Sequence, residues 1–74
     1  KKMKIYNVIA YLHGDINQHS YPVGVFISQE IAQMVAHEES LERGGKYNIK
    51  VYEMLLGETY YSFNPVIVYE TESK

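Results

Sequence analysis

A single stretch of helical periodicity, Ser28 to Gly45, stands between two pairs of apolar runs that read as strands, and this placement limits the fold more than any other feature of the chain. Ser28 can accept a hydrogen bond from a free amide of the first helical turn, and Glu30 sits where the helix dipole favours an anion. A helix is therefore predicted to run to about Arg43. Gly44 and Gly45 end it, because glycine takes the left-handed conformation without a steric penalty. On a 3.6-residue period Ile31, Met34, Val35 and Leu41 fall together with Ala32 at their flank, so this side is expected to face the core.

The flanking runs define the strands. Residues 3–12 are rich in Ile, Val and Tyr and contain neither Gly nor Pro. Their alternation puts Tyr6, Val8, Ala10 and Leu12 on one face and Ile5, Asn7, Ile9 and Tyr11 on the other. Both faces are largely apolar, as in a central strand. His13 to Ser20 is polar and reads as a loop, and a short strand follows at about Val23 to Ile27. Pro22 at its entrance cannot donate to a ladder and suits an edge. After the helix, residues 46–56 alternate Tyr47, Ile49, Val51 against Asn48, Lys50, Tyr52, Met54. Gly57, Glu58 and Thr59 form a turn, and Tyr60 to Glu70 is a fourth extended segment that Asn64 and Pro65 interrupt.

The element order β-β-α-β-β predicts an α+β fold. A hairpin reverses the first strand into the second, and the helical crossover returns the third strand parallel to the second. The most apolar strand, the first, then sits between them. The result is a four-stranded antiparallel sheet of order 2-1-3-4, with one helix packed on one face and a right-handed crossover.

A chain of 74 residues feeds one core, here expected over residues 3–70, with Thr71 to Lys74 a frayed polar tail. Lys1 and Lys2, which precede Met3, stand outside that domain as additions, or the chain continues upstream. A core of this size rarely supplies more than about 3–5 kcal/mol, and with no cysteine there is no disulfide to add to it. Idealised packing, a metal or self-association must do so. The lack of cysteine and of any membrane-length apolar run points to a cytoplasmic protein without membrane contact. A net charge of −2 with scattered cations argues against a nucleic-acid partner.

Few residues carry recognisable chemistry. His13, Asp15 and His19 share one loop and are candidate metal ligands, since imidazole and carboxylate are the usual zinc donors. The spacing matches no metal signature and lacks a fourth ligand, so turn formation is the simpler reading and no cofactor is expected. His37 and Glu38 are neighbours on a helix and point about 100° apart, so they cannot face one another as an acid–base pair. Glu38 falls at the angle of Ile31 and Leu41 and reads as a rim residue. With no nucleophile in the setting of a hydrolase turn, the chain is read as a non-enzyme.

Tyrosine is the unusual feature, with eight in the chain and no tryptophan. Tyr6, Tyr47 and Tyr61 are explained by the strand preference of aromatics. Tyr11 and Tyr52 fall on the face away from the helix, where a rigid ring with a polar tip suits recognition. With one helix for four strands that face stays open, and Ile5, Ile9, Tyr11, Tyr52 and Met54 form a candidate interface. A homodimer is the simplest closure, unless Tyr60 to Glu70 folds back over it.

The segment Val23 to Ala32, reading VGVFISQEIA, and the later Tyr47 to Met54, reading YNIKVYEM, resemble a loose group of small bacterial and phage domains. That group has an IGVF-S-x-E-x-A junction between strand and helix and a later Y-x-V-x-E strand. The resemblance spans residues 5–56 and implies a cytoplasmic bacterial or phage protein of unknown function, with no functional residue to carry over. The lack of catalytic groups beside an apolar, tyrosine-bearing sheet face favours a non-enzymatic interaction module, such as a phage or mobile-element accessory protein that binds a host protein. The alternatives are a small-ligand or metal-binding domain using His13 to His19, and an acidic inhibitor of a nucleic-acid enzyme acting through Glu38, Glu39 and Glu42.

Overall fold

The computed structural model describes residues 3–12, 20–57 and 66–71. It contains β1 (Lys4–Leu12), β2 (Ser20–Phe26), α1 (Gln29–Glu42), β3 (Tyr47–Leu55) and β4 (Val66–Glu70). The four strands form one sheet of order β2-β1-β3-β4 in which every neighbouring pair is antiparallel. This is the expected α+β architecture, with α1 contacting the sheet through β1, β2 and β3. Residues His13 to His19 of the predicted loop, the turn residues Glu58 and Thr59, and Tyr60 to Pro65 of the segment expected to extend or fold back lie outside the described residues.

The central strands run in unbroken register, from Lys4 opposite Leu55 to Leu12 opposite Tyr47. Both outer ladders are interrupted. The β1–β2 register shifts between Val8 and Ile9, and the β3–β4 register shifts between Val51 and Tyr52. An extra residue in an outer strand raises the local twist and spoils the edge as a template for further pairing. The first of these irregularities also accommodates Pro22, which pairs with Ile9 inside β2. Strand β2 thus begins at Ser20, earlier than Pro22 had suggested, because an edge strand tolerates a residue with no N–H.

The helix is closed at both ends as its sequence demands. Ser28 Oγ accepts from the Ile31 amide at 3.3 Å. At the other end Gly45 N–H donates to the Ser40 carbonyl and Gly44 N–H to that of Leu41, the paired bonds of a Schellman stop. Gly44 and Gly45 have φ of 68° and 76°, so a Cβ at either would strain the turn.

The core lies between α1 and the sheet. Tyr6, Val8 and Ala10 of β1 and Ile49 and Val51 of β3 meet Ala32 and Ala36 of the helix. Tyr21, Val23, Phe26, Tyr47, Val68 and Tyr69 pack around this centre. The expected inner face of the helix is corrected here. Ile31, Met34 and Leu41 point to solvent at 48%, 60% and 67% exposure, while Ala32 and Ala36 are fully buried. The cause is space: rings from the sheet crowd the helix on that side, so only a methyl-sized side chain lets the backbone approach. Thr71, expected to belong to a frayed tail, is instead held against β3. Thr71 is buried, its Oγ1 accepts from Ile49 N–H at 2.9 Å, and its own N–H donates to the Ile49 carbonyl.

Candidate functional site

The pleat of β1 and β3 brings the five predicted interface residues onto the sheet face away from α1. Ile5 stands opposite Met54, while Tyr52 stands opposite Asn7 and Tyr11 opposite Asn48. All five are half-buried. Tyr11 and Tyr52 approach from either side of the Ile9–Lys50 pair, and their hydroxyls meet at 3.0 Å. The Lys50 ammonium lies 5.2 Å from the centre of the Tyr11 ring, within cation–π range. The two hydroxyls therefore satisfy one another, whereas the buried Oδ1 of Asn48 on the same face has no hydrogen-bond partner among the described residues. At the outer strands Val25 and Ile67 continue the same face with more exposure, at 59% and 45%. Lys50 pairs in register with Glu70, and Asn48 Nδ2 donates to Glu70 Oε2 at 2.6 Å, so both signs of charge are present on this side.

A second apolar surface was not foreseen. Ile31, Met34 and Leu41 lie along the solvent side of the helix, and exposed Glu30, Glu38 and Glu42 run beside and among them. Because α1 covers β1 to β3, a groove remains between it and β4. Its walls are Met34, His37 and Leu41 on the helix and Tyr69 on the strand. The signal for this arrangement was in the sequence. Ser28, Ala32 and Ala36 recur at intervals of four, a run of small residues that admits close packing, and it competes with the larger Ile31, Met34 and Leu41 for the inner face.

A polar clamp joins β2 to the helix end. Tyr21 Oη donates to Glu39 Oε2 at 2.5 Å, and Arg43 Nε donates to the same carboxylate oxygen at 3.0 Å and to Tyr21 Oη at 3.1 Å. The Arg43 guanidinium lies 5.6 Å from the Tyr21 ring centre, and Tyr47 meets that ring edge-on at 5.3 Å. The hydrogen bond from Tyr21, with that from Arg43 second, holds the Glu39 carboxyl below its ordinary value. Burial, followed by the hydrogen bond to Glu39, pushes the Tyr21 hydroxyl up. Of the three clustered glutamates, Glu39 is thus turned inward and engaged, while Glu38 and Glu42 face solvent. The cluster expected to act as one acidic unit is divided between two sides of the helix.

The candidate metal ligands His13, Asp15 and His19 lie outside the described residues, as does Tyr61. Among the described residues no group of three or more His, Cys, Asp or Glu side chains converges on one point. No described helix is long and apolar enough to cross a membrane. Comparison with protein-family models, with curated proteins and with solved structures finds no match for this chain.

Proposed function

We propose that this chain is a non-enzymatic interaction module, and that a second copy of itself docks on the sheet face away from α1. The observation that carries this reading is the continuity of the face: Ile5, Ile9, Tyr11, Tyr52 and Met54 form its centre, and the exposed Val25 and Ile67 extend it to both outer strands. Burying apolar area at about 25 cal/mol per Å² would supply stability that a small disulfide-free core lacks. The charge on the face suits a two-fold pair, because Lys50 and Glu70 lie side by side and each subunit presents both signs. Sedimentation equilibrium tests it on the wild type and on Ile9→Lys, with circular dichroism to verify that the variant folds. The expected result is a concentration-dependent dimer that the lysine converts to a folded monomer. A wild type that stays monomeric at all concentrations removes self-association from the reading.

A further inference from the structure

We infer that the outer face of α1, together with the groove between α1 and β4, docks a basic amphipathic helix of another protein. The inference rests on reading the chain as an interaction module, but it concerns a different surface and does not require self-association.

Ile31, Met34 and Leu41 project within about 80° of one another at 100° per residue. From Ile31 to Leu41 the helix rises about 15 Å, so the anchors form a ribbon about three turns long and one side chain wide. A ribbon of this shape matches the apolar stripe of a second helix, and the adjoining groove offers Tyr69 as a wall against which that helix can rest.

Charge selects the occupant. Glu38 and Glu42 lie within the angular span of the anchors or next to it, and Glu30 lies at its margin; all three are exposed. Arg43 is held on the inner side by Glu39 and Tyr21, and Lys46 follows the glycine stop beyond the end of the ribbon. Two copies of α1 pairing across this face would bring acidic side chains together, which costs free energy. A partner helix with Lys or Arg beside its apolar stripe instead finds a carboxylate near each anchor. The two surfaces therefore differ in kind: the sheet face carries both signs and suits a copy of itself, whereas the helix face carries one sign and suits a partner of the other.

The test uses a labelled helix-forming peptide of about 15 residues, with leucine at helical spacing and lysine elsewhere, and a second peptide with glutamate in place of each lysine. Fluorescence anisotropy gives affinity, and amide chemical shifts give location. The lysine peptide is expected to bind at least tenfold more tightly than the glutamate peptide, with shifts centred on Ile31, Met34, His37, Leu41 and Tyr69. Met34→Ser combined with Leu41→Ser should weaken it at least tenfold. Glu38→Lys with Glu42→Lys should reverse the preference between peptides, and Ile9→Lys should leave binding unchanged. Absent binding, equal binding of both peptides, shifts on the sheet face, or insensitivity to the serine and charge-reversal variants would each overturn the inference. So would a wild-type dimer that the serine variants dissociate, since a second copy would then occupy the face. A monomeric wild type that still binds the lysine peptide at α1 defeats only the self-association proposed above.

Discussion

The two sides of α1 invert the usual relation between side-chain size and burial. Its inner side presents Ala32 and Ala36, fully buried, and its outer side presents Ile31, Met34 and Leu41, largely in water. Hydrophobicity alone would reverse this, since fully burying a residue of the second kind is worth about 1.5–3 kcal/mol. The large groups of this interface come from the sheet instead: Tyr6, Tyr21, Phe26, Tyr47 and Tyr69 surround two methyl groups. One of those rings is itself placed by a small residue. A Cβ added at Gly24 would stand 3.0 Å from the Phe26 ring, so the strand leaves room there for the aromatic. The comparison teaches that closeness of approach decides which stripe turns inward. A domain expected to hold only about 3–5 kcal/mol of stability leaves three large side chains outside, and that is the physical ground for assigning them to a partner.

The most severe challenge to this comparison is to enlarge the inner side. Ala36→Leu should cost about 2–3 kcal/mol by overpacking, bringing the domain close to unfolding, whereas Leu41→Ser should stay within about 0.5 kcal/mol of wild type. Urea denaturation of both variants measures the contrast. Similar losses from the two would mean that the outer side contributes to the core after all.

A smaller effect is expected where β4 closes the inner side. Thr71→Val keeps the shape but leaves the Ile49 N–H buried without its acceptor, at a cost of about 1–2 kcal/mol, while Thr71→Ser keeps the oxygen and most of the stability. Equal stability of the two variants would show that the hydroxyl contributes little. Hydrogen exchange at the Ile49 amide gives a local readout of the same bond.

The smallest effect separates Glu39 from Glu38. Glu39 has a lowered carboxyl pKa in the folded state, so its contribution is present above the ordinary glutamate value and is lost as pH falls through the folded one. Tyr21 has a raised pKa, so its contribution is present below the ordinary tyrosine value and is lost as pH rises through the folded one. Tyr21→Phe should cost about 1 kcal/mol near neutral pH. The difference from wild type should shrink in acid, where Glu39 takes up its proton, and in strong alkali, where the wild-type hydroxyl ionises. At neutral pH Glu38→Gln, at an exposed side chain, should stay within about 0.5 kcal/mol of wild type. Denaturation midpoints measured against pH decide it, and a constant difference between Tyr21→Phe and wild type would break the coupling.

The sequence by itself determined the elements and their pairing. Alternation in β1 and β3, the Ser28 cap and the Gly44-Gly45 stop are local signals, and strand order follows from them through the constraints on hairpins and crossovers. It also grouped Ile5, Ile9, Tyr11, Tyr52 and Met54 on one face, because a period of two leaves no choice once the opposite face is buried. What only the tertiary structure decided was the rotation of α1. Two stripes competed for the inner side, and a helical period cannot rank an alanine stripe above a larger one. The choice depends on how much volume Tyr21, Phe26, Tyr47 and Tyr69 take up between the layers, and those residues come from three strands distant in sequence. The same rotation turned Glu39 inward to Tyr21 and left Glu38 in water, since side chains one residue apart on a helix face directions about 100° apart.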